Sequence, residues 1–321
     1  MKIKEVQNKE EFFILSEKLA GVFGSSAWLT SYGNNMKLIG IYSEDGEKLI
    51  GGFFYFNSKK GGFSFMKLPP YTPHCGLFFK NEAKNAAARN SFEKEVVTEV
   101  CNYIESQKKS LIVLAFPPYV KDMQPFIWNK YKVVPNYTYR ILLNKSIEEI
   151  VDSFDPKNRN VINKAIKESV HVTETDRKQT DLFKYFSGTL KKAGANVYEK
   201  ELSGIFNKFS NDSNSFSLSA SKDNKLLGVV FCIYDSDKCY YILGGINKES
   251  EIKGINNLLI LKSIEKAKEL GCSVFDFEGS MLPGVEKFFR SFGPELIPYY
   301  TINKAILPLE IMLKFKKREH F

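Results

Sequence analysis

The sequence predicts an α/β protein of two similar domains, each with a mixed sheet and flanking helices. Three observations lead to this fold class. The 321 residues suffice for two hydrophobic cores, strand-length apolar runs alternate with segments of helical period, and the second half repeats the plan of the first. We therefore expect one domain over residues 1–145 and another over residues 146–321.

Three anchors carry the repeat, and they follow one another in the same order in both halves. They are an acidic turn before Lys-Leu-(Ile/Leu)-Gly-x-x-Phe, a helix followed by a strand, and a Pro-x-Tyr-Thr run. The matched positions are Lys48 and Lys225, Leu111 and Val274, and Pro135 and Pro298. Chance explains similarity at one anchor easily, whereas three in the same order favour duplication of one domain.

The first half begins with a helix and continues as a meander of strands. Asn8 can cap a helix over Lys9–Ala20, which Gly21 ends. Asp-Gly and Gly-Gly pairs between apolar runs predict hairpins over residues 36–67. The remaining elements are a loop rich in proline and ring side chains at Leu68–Gly76, a helix at Phe92–Gln107, and strands at Leu111–Phe116 and Tyr137–Leu143.

The second half opens with two helix starts. Ser146 and Glu149 have the S-x-x-E form of a capping box, and Asp155 with Pro156 is typical of an N-cap and first helical residue. Further elements follow the hydrophobic periodicity. They are helices at Leu182–Lys192, Tyr198–Phe209 and Asn257–Leu270, and strands at Val274–Glu278 and Ile297–Ile302.

The stretch from Gly271 to Lys304 is where we expect the chemistry. Asp276 and Glu278 alternate with phenylalanines, so a strand would place both carboxylates on one face, about 7 Å apart. After Pro283, four apolar residues recur at helical spacing, which leaves Lys287 and Arg290 on the other side. The sequence thus predicts two acids at a strand end beside a basic helix.

Composition limits the class of function. The net charge of +9 favours an anionic partner such as CoA, a nucleotide, tRNA, an acidic glycan or a membrane surface, although a generally basic protein explains it equally well. Five scattered cysteines without a CxxC pair argue against a disulfide framework and a zinc site. Three distant histidines make a Ser-His-Asp or metal-histidine mechanism improbable.

We expect a cytoplasmic protein, since the first residues are polar and no run reaches the roughly 18 to 20 apolar residues of a membrane helix. The C-terminal tail mixes apolar residues such as Ile311 and Phe315 with Lys314, Lys317 and Arg318. It can dock on its own domain, which we favour, or lie on an anionic membrane surface.

The run Lys157-x-Arg159-x-x-Ile162-x-Lys164-Ala165, followed downstream by Phe-Asp-Phe-Glu-Gly and Gly-Val-x-x-Phe, resembles the FemAB-like branch of the GNAT acyltransferase superfamily. The resemblance covers nearly the whole chain and implies paired GNAT-like halves. It also implies transfer of an acyl or aminoacyl group to an amine. The implied donor is acyl-CoA, such as acetyl-CoA, or aminoacyl-tRNA as in the Fem peptidyltransferases, whose acceptors are peptidoglycan precursors.

Two positions depart from the family pattern. Fem-type transferases carry a lysine where this chain has Phe289, which favours acyl-CoA over aminoacyl-tRNA. The pyrophosphate loop corresponds to residues 251–256, where only Gly254 matches the motif. Lys253 and the backbone amides at the start of the next helix can still bind phosphate, so Lys253, Gly254 and Asn256 are the cofactor-binding candidates.

The resemblance and the residue types together give catalytic candidates. Glu278 and Asp276 can orient or deprotonate an amine, since attack on an ester or thioester needs the neutral nucleophile. Alternatively they are strand-end carboxylates bound by Lys287 or Arg290, or simply solvated. Tyr300 can donate a proton to a leaving thiolate, or it is a core tyrosine.

The substrate-binding candidates form three groups. Arg159 and Lys164 can clamp an anionic donor or acceptor, or they belong to an ordinary solvated helix face. Tyr71 and His74 can line an acceptor cleft, or they belong to a loop that covers the sheet. The third group, Lys287 and Arg290, lies beside the two acids.

We therefore predict an N-acyltransferase whose active cleft lies in the second domain. The acceptor would be a small-molecule, glycan or peptide amine, with neither DNA nor a metal involved. One alternative is an aminoacyl-tRNA-dependent peptidyltransferase that acts on a cell-wall or glycan precursor in bacterial cell-envelope biosynthesis. The other is a non-catalytic tandem-GNAT binding protein.

Overall fold

A computed structural model describes residues 1–176, 180–192, 197–247, 250–279 and 281–316 of the chain. Lys317 and Arg318 of the tail lie outside these ranges. The strands are β1 Lys2–Glu5, β2 Met36–Tyr42, β3 Leu49–Lys60, β4 Phe63–Lys67, β5 Phe78–Phe79, β6 Leu111–Ala115, β7 Lys132–Leu142, β8 His171–Glu174, β9 Ser215–Lys222, β10 Lys225–Tyr234, β11 Lys238–Ile246, β12 Val274–Asp276 and β13 Glu295–Ala305.

The helices alternate with these strands, which confirms the predicted mixed α/β class. They are α1 Lys9–Ala20, α2 Ser26–Thr30, α3 Ala86–Ser106, α4 Gln124–Trp128, α5 Ile147–Asp152, α6 Pro156–Lys167, α7 Thr180–Lys192, α8 Glu199–Gly204, α9 Ile255–Glu269, α10 Pro283–Arg290 and α11 Leu307–Lys316. A π-helical segment, Ile205–Phe209, continues α8.

The helix starts follow the local sequence signals. Asn8 accepts hydrogen bonds from the backbone amides of the first turn of α1, and Ser146 with Glu149 forms the predicted capping box of α5. The Asp155 side chain accepts from the Lys157 amide at 2.7 Å, with Pro156 as the first residue of α6. These predictions are confirmed because capping depends on neighbouring residues alone.

By contacts, the chain divides into two compact units, one of residues Met1–Asn136 with Pro298–Phe321 and one of residues Tyr137–Ile297. In the first unit the strand order is β1-β2-β3-β4-β6-β13, with β5 paired to β3. Neighbours are antiparallel except β4 and β6. The apolar face of α3 packs on this sheet, where Val96, Val100 and Ile104 are fully buried.

The second unit contains the strand order β7-β12-β11-β10-β9-β8. Here β11 and β12 are parallel and the other neighbours are antiparallel. Helices α5, α6, α9 and α10 contribute residues to one core that includes Ile150, Ile162, Leu259 and Phe289. All five cysteines of the chain are free and buried, as the apolar patterns around them predict.

The order of elements in the first half of the chain recurs in the second half. The last strand of the first repeat lies in the sheet of the second unit, and the last strand of the second repeat lies in the sheet of the first unit. Apart from the two-residue strand β5 in the first repeat, both repeats run through three strands, a long helix, a strand, a short helix and a final strand. The final strand of the first repeat, β7, pairs with β12 (Asp276 opposite Arg140), and that of the second, β13, pairs with β6 (Thr301 opposite Ala115). The contact-defined units therefore differ from the predicted domains 1–145 and 146–321 by an exchange of last strands, and the boundary between residues 145 and 146 stays a prediction.

One local prediction is wrong. Strand β12 ends at Asp276 rather than at Glu278. The Asp276 carboxylate accepts a hydrogen bond from the Glu278 amide at 2.9 Å, and Glu278 has a φ of +60°. The chain therefore turns after Asp276, so the two acids do not share a strand face.

Candidate active site

The candidate site lies at the end of β12 in the second unit. Asp276 on β12 stands opposite Arg140 on the antiparallel strand β7 and opposite Tyr240 on the parallel strand β11. Because strands flank β12 on both edges, side chains at its end are shielded from water. Tyr240 is 6% exposed, and burial raises its pKa, with the charges of Asp235, Asp276 and Glu278 adding to the effect.

Asp276 holds the site together. Its carboxylate is 2% exposed and accepts from the Thr138 hydroxyl at 2.5 Å and from Arg140 Nε at 2.6 Å, in addition to the Glu278 amide. The predicted partners Lys287 and Arg290 are not the ones it binds. Three hydrogen bonds with a cation among the donors stabilise the ionised carboxylate and fix its position. Asp276 is therefore an anchor between β7 and β12.

The second carboxyl group of the candidate site belongs to Glu278. Burial raises its pKa well above the usual range, the negative charge of Asp276 raises it further, and Arg140 opposes the shift. A non-glycine residue with positive φ is uncommon and concentrates at functional sites. A half-buried carboxyl with a raised pKa is a candidate for proton transfer.

Gly279 makes the turn beside Glu278 possible. Its φ is +69°, and a Cβ at this position would lie 2.2 Å from the carbonyl oxygen of Tyr137. Only glycine fits so close to the β7 backbone. The Glu-Gly pair therefore fixes how the chain leaves β12.

Strands β11 and β12 separate beside the acids. Their pairing covers only Lys238 to Tyr240 on β11, although β11 continues to Ile246. The register with β10 jumps from Tyr241 to Leu243, so Ile242 forms a β-bulge just after the last β12 pair. Bulges occur next to active sites because they redirect a strand and expose its backbone. From Tyr241 onward, β11 therefore has no paired strand on the side of β12 among the described residues.

Helix α9 starts beyond this open edge. Gly254 has a φ of +89°, and a Cβ there would lie 2.1 Å from the carbonyl oxygen of Val161 on α6. No side chain caps the first turn, and the buried Oδ1 atom of Asn256 has no hydrogen-bond partner. Lys253 is exposed. The three predicted cofactor-binding residues therefore lie together at a helix start whose amides are available for an anion.

A solvent-open groove of about 320 Å³ lies where α6, α9 and α10 meet. Asn158, 3% exposed, joins the three helices: its Nδ2 donates to the Ser291 carbonyl and hydroxyl oxygens at 3.0 Å, and its Oδ1 accepts from Asn257 at 2.8 Å. The lining residues are Asp155, Lys157, Asn158, Val161, Asn257, Lys287, Arg290 and Ser291. With three cations against one acid, the groove suits a phosphate-bearing ligand.

The predicted substrate-binding cations divide between the groove and the surface. Lys287 and Arg290 line the groove, and Arg290 also pairs with Glu286 at 2.7 Å. The Tyr139 hydroxyl donates to the same carboxylate at 2.6 Å, and burial beside that carboxylate raises the pKa of Tyr139 to about 12. Arg159 binds Asp152 at 3.2 Å, and Lys164 is exposed on α6, so neither lines this groove.

Three predicted residues belong to the first unit. Tyr71 and His74 lie in a loop where Trp28 Nε1 donates to the Thr72 hydroxyl at 3.1 Å and the Gly76 amide donates to His74 Nδ1 at 3.2 Å. Tyr300 packs on the core of that unit from β13. A role for these three residues in substrate binding or catalysis stays a prediction.

Phe289 is a core residue, as its place in the apolar stripe predicts. It is 5% exposed and packs against Phe277 and Tyr241, with ring centroids 4.9 and 5.8 Å apart. Lys287 and Arg290 project into the groove from other positions on the same helix. The family lysine is therefore replaced by an apolar contact, while two neighbouring residues bring positive charge to the groove.

Sequence reasoning missed Arg140, Thr138, Lys157 and the bulge at Ile242. The partners of Asp276 come from a strand of the other repeat, and no local signal reveals that pairing. The bulge had a signal in the consecutive glycines Gly244 and Gly245 inside a strand pattern. Lys157 begins the Lys-x-Arg run but was not singled out from it.

Comparisons with known proteins agree with this fold. Residues 205–290 match the family model described as an acetyltransferase (GNAT) domain. The crystal structure of FemX superposes with a TM-score of 0.66 at 12% identity, covering 98% of this chain and all of that one. The structure of L-PGS from Bacillus licheniformis gives a TM-score of 0.58 at 14% identity and covers 98% of both chains.

A tandem GNAT protein from the clavulanic acid biosynthesis pathway gives a TM-score of 0.55 at 9% identity, with 94% of this chain and 98% of that chain covered. A comparison with curated protein sequences finds no match. At these identities the solved structures establish the fold, and the family model establishes the domain in the second unit. The chain thus contains a GNAT acetyltransferase domain and has the fold of FemX and of a tandem GNAT protein, which confirms the FemAB-like resemblance.

Proposed function

We propose that the protein transfers an acyl group from an acyl-CoA donor to a primary amine at the end of β12. The observation that carries this proposal is the separation of β11 from β12 at the Ile242 bulge, beside a half-buried carboxyl with a raised pKa. An open strand edge can hydrogen-bond an extended chain that contains amide groups. The pantetheine arm of CoA is such a chain.

The phosphates of the donor would bind at the start of α9 and in the adjoining groove. The amides of the first turn and the exposed Lys253 offer hydrogen-bond donors and positive charge at this helix end. Lys157 and Lys287 bring further positive charge to the groove. These groups fit a nucleotide diphosphate better than an uncharged ligand.

The chemical step needs a neutral amine and a proton acceptor. The amine nitrogen attacks the thioester carbonyl carbon, the new C–N bond forms, the C–S bond breaks, and CoA leaves as the thiolate, which takes up a proton from water. Glu278 accepts the proton that the amine loses, and backbone amides beside the bulge can stabilise the developing oxyanion. Asp276 does not serve as the base because its carboxylate is already bound by Arg140 and Thr138.

Aminoacyl-tRNA is the alternative donor. The full-length likeness to FemX and the solvent-open, positively charged groove support it, whereas Phe289 opposes it. With either donor the acceptor class would be a peptide, glycan or lipid amine of the cell envelope. The reaction would then take place in the cytoplasm, where both donors occur. Among the described residues, no group of three or more His, Cys, Asp or Glu side chains could bind a metal ion.

Donor titration with product detection tests the proposal. We expect acetyl-CoA or a longer acyl-CoA to raise the melting temperature, and mass spectrometry to detect N-acylation of an amine panel. A shift with aminoacyl-tRNA alone would establish the alternative donor, and the absence of product with every donor would make the chain a binding protein.

The Glu278→Gln variant tests the assigned base. It should bind the donor like the wild type but lose about 10²-fold or more in kcat/KM, because the proton acceptor is missing. Glu286→Gln is the matched control, since Glu286 binds Arg290 and Tyr139 on α10 and takes no part in the proposed step. Full activity in Glu278→Gln would show that another group accepts the proton.

A further inference from the structure

Helix α11 in the first unit presents an apolar face to solvent. Leu307, Ile311 and Phe315 follow one another at i, i+4 and i+8 and are 70%, 50% and 86% exposed. Pro308 and Met312 lie beside this row and are also exposed. At 100° per residue these five residues span an arc of about 140°. We call them the C-terminal apolar face.

The opposite side of α11 faces the protein. Leu309 and Leu313 are half-buried there, which fixes the orientation of the helix. The expectation that the tail docks on its own domain therefore holds for this side alone. Lys314 borders the apolar arc and pairs with Glu310 at 2.7 Å. Among the described residues no helix is long and apolar enough to cross a bilayer.

A second exposed apolar site adjoins the start of α11. Ile127 and Trp128, at the end of α4, are 55% and 65% exposed. Lys304, two residues before Ile306, donates to the carbonyl oxygen of Asn129 at 3.0 Å. Trp128 thus precedes a residue that contacts β13, the strand that leads into α11. Tryptophan is enriched where one end of a side chain is apolar and the other is in contact with water, as at a membrane surface.

The positive charge of the protein is concentrated in this unit. Residues 1–136 and 298–321 contain 23 Lys and Arg against 15 Asp and Glu, a net charge of +8. Residues 137–297 contain 23 against 22, a net charge of +1. Lys130 and Lys132 follow Trp128 and are exposed, and in the sequence Lys316, Lys317 and Arg318 follow Phe315. The exposed apolar face therefore belongs to the cationic unit, whereas the residues of the candidate active site belong to the other unit.

We propose that the first unit binds the surface of an anionic lipid bilayer through the C-terminal apolar face, with Trp128 and the neighbouring lysines at the headgroup level. An amphipathic helix with bulky apolar residues on one side and cations at its border lies in the interface plane and inserts only its apolar side. The unit's net charge attracts it to anionic headgroups over a distance set by salt.

Two other occupants fit the observations less well. Nucleic acid would use the same positive charge, but phosphate backbones are bound by Lys and Arg rather than by exposed Leu, Ile and Phe. A second copy of the chain would bury the apolar row but would bring two units of charge +8 together. The bilayer accommodates both the apolar row and the charge.

Vesicle co-sedimentation of the full-length protein tests the proposal. The vesicles contain phosphatidylcholine alone or with about 30% phosphatidylglycerol. We expect binding to the anionic vesicles that weakens at high salt. A Leu307→Ser, Ile311→Ser, Phe315→Ser variant should lose about tenfold or more in vesicle affinity, because the apolar contribution is removed. Its melting temperature should remain that of the wild type, since these side chains are exposed.

Ile14→Ser is the matched control, because Ile14 is 68% exposed on α1 in the same unit, and it should bind vesicles like the wild type. The proposal is overturned if the wild type stays in the supernatant with anionic vesicles, or if the triple variant sediments with them equally well. It is also overturned if sedimentation velocity shows a dimer that the triple variant dissociates, or if the triple variant loses binding to bulk tRNA in place of vesicles. None of these outcomes depends on acyl transfer.

Discussion

Two carboxylates that are neighbours in the sequence have opposite chemistry in this protein. Asp276 is bound by a cation, a hydroxyl and an amide, so its charge is stabilised. Glu278, two residues later, is half-buried beside that charge, so its pKa is raised. Different environments can thus assign one acid of a site to structure and the other to proton transfer.

The raised pKa of Glu278 predicts a pH-dependent stability. The folded protein keeps this proton above the ordinary value of 4.5, whereas the unfolded chain releases it there, so stability falls as pH rises towards the folded pKa. Glu278→Gln removes this loss. The melting temperature of the variant relative to the wild type should therefore be higher at about pH 8 than at about pH 5.

Differential scanning calorimetry at both pH values measures this trend. Glu286→Gln serves as the control, because the hydrogen bonds from Tyr139 and Arg290 lower the pKa of Glu286. The contribution of Glu286 to stability therefore changes with pH only below about pH 5. Equal trends in both variants would contradict the assignment to Glu278. A second consequence is that kcat/KM should rise with pH as Glu278 ionises and becomes able to accept a proton.

The ion pair of Asp276 should dominate the stability of the site. Arg140→Gln leaves a 2% exposed carboxylate without its cation, which costs about 3–5 kcal/mol when such a pair is broken on one side. Arg290→Gln is the matched control, since Arg290 makes the same kind of Nε contact at 2.7 Å on the surface. Its loss should cost much less than the loss of Arg140, because solvent screens an exposed ion pair. Urea unfolding measures both, and equal costs would contradict the anchoring role.

At the residue scale the sequence predicted the acids but not their partners. The alternation around Asp276 and Glu278 predicted one strand face for both acids, whereas the chain turns after Asp276. Their separate roles depend on Arg140 and Thr138, which are more than 130 residues earlier in the chain. Periodicity describes a segment by itself, so it gives no information on such long-range pairs.

At the element scale, the start of α9 depends on its contact with α6. Gly254 combines a positive φ with a Cβ position 2.1 Å from the Val161 carbonyl oxygen. The same residue therefore fixes the packing of two helices and the direction of the first-turn amides. The proposed phosphate site is a consequence of that packing.

Gly254→Ala should be destabilising and should weaken donor binding. The strained φ costs about 1–3 kcal/mol, and the clash displaces α9 from α6. Gly284→Ala on α10 is the matched control, since a Cβ there meets nothing within 4 Å and alanine favours a helix. Thermal unfolding with and without acyl-CoA separates the two effects. Unchanged stability in Gly254→Ala would contradict the close approach.

Element starts and element order were predictable, whereas sheet membership was not. Asn8, Ser146 and Asp155 act on adjacent amides, so their caps can be found from the sequence. The duplication gave the order of elements in each half. The exchange of β7 and β13 could not be found in this way, because both strands have equivalent patterns and pairing depends on distant chain segments.

At the scale of the whole molecule, the two repeats exchange their last strands. The first repeat supplies β7 to the sheet of the second unit, and the second repeat supplies β13 to the sheet of the first unit. A chain that ends at Ile297 would lack β13 and would leave β6 without the partner it has over Leu111 to Ala115. We expect that chain to aggregate or to lose cooperative unfolding of the first unit, because an unpaired strand is exposed. A chain that ends at Ala305 keeps β13, loses only α11 and the tail, and should unfold like the full chain.

Circular dichroism and calorimetry of the two shortened chains distinguish these results. Native-like unfolding of the chain that ends at Ile297 would show that β13 is dispensable. A loss of stability in both would mean that α11 contributes more than its exposed face indicates.

The net positive charge is distributed unequally between the two units. The first unit has a net charge of +8 and the second a net charge of +1. Nearly all of the net positive charge therefore belongs to the first unit. An electric field from any polyanion would rotate such a particle before it touched. Approach to a polyanion from solution would thus favour orientations in which the cationic unit makes the first contact.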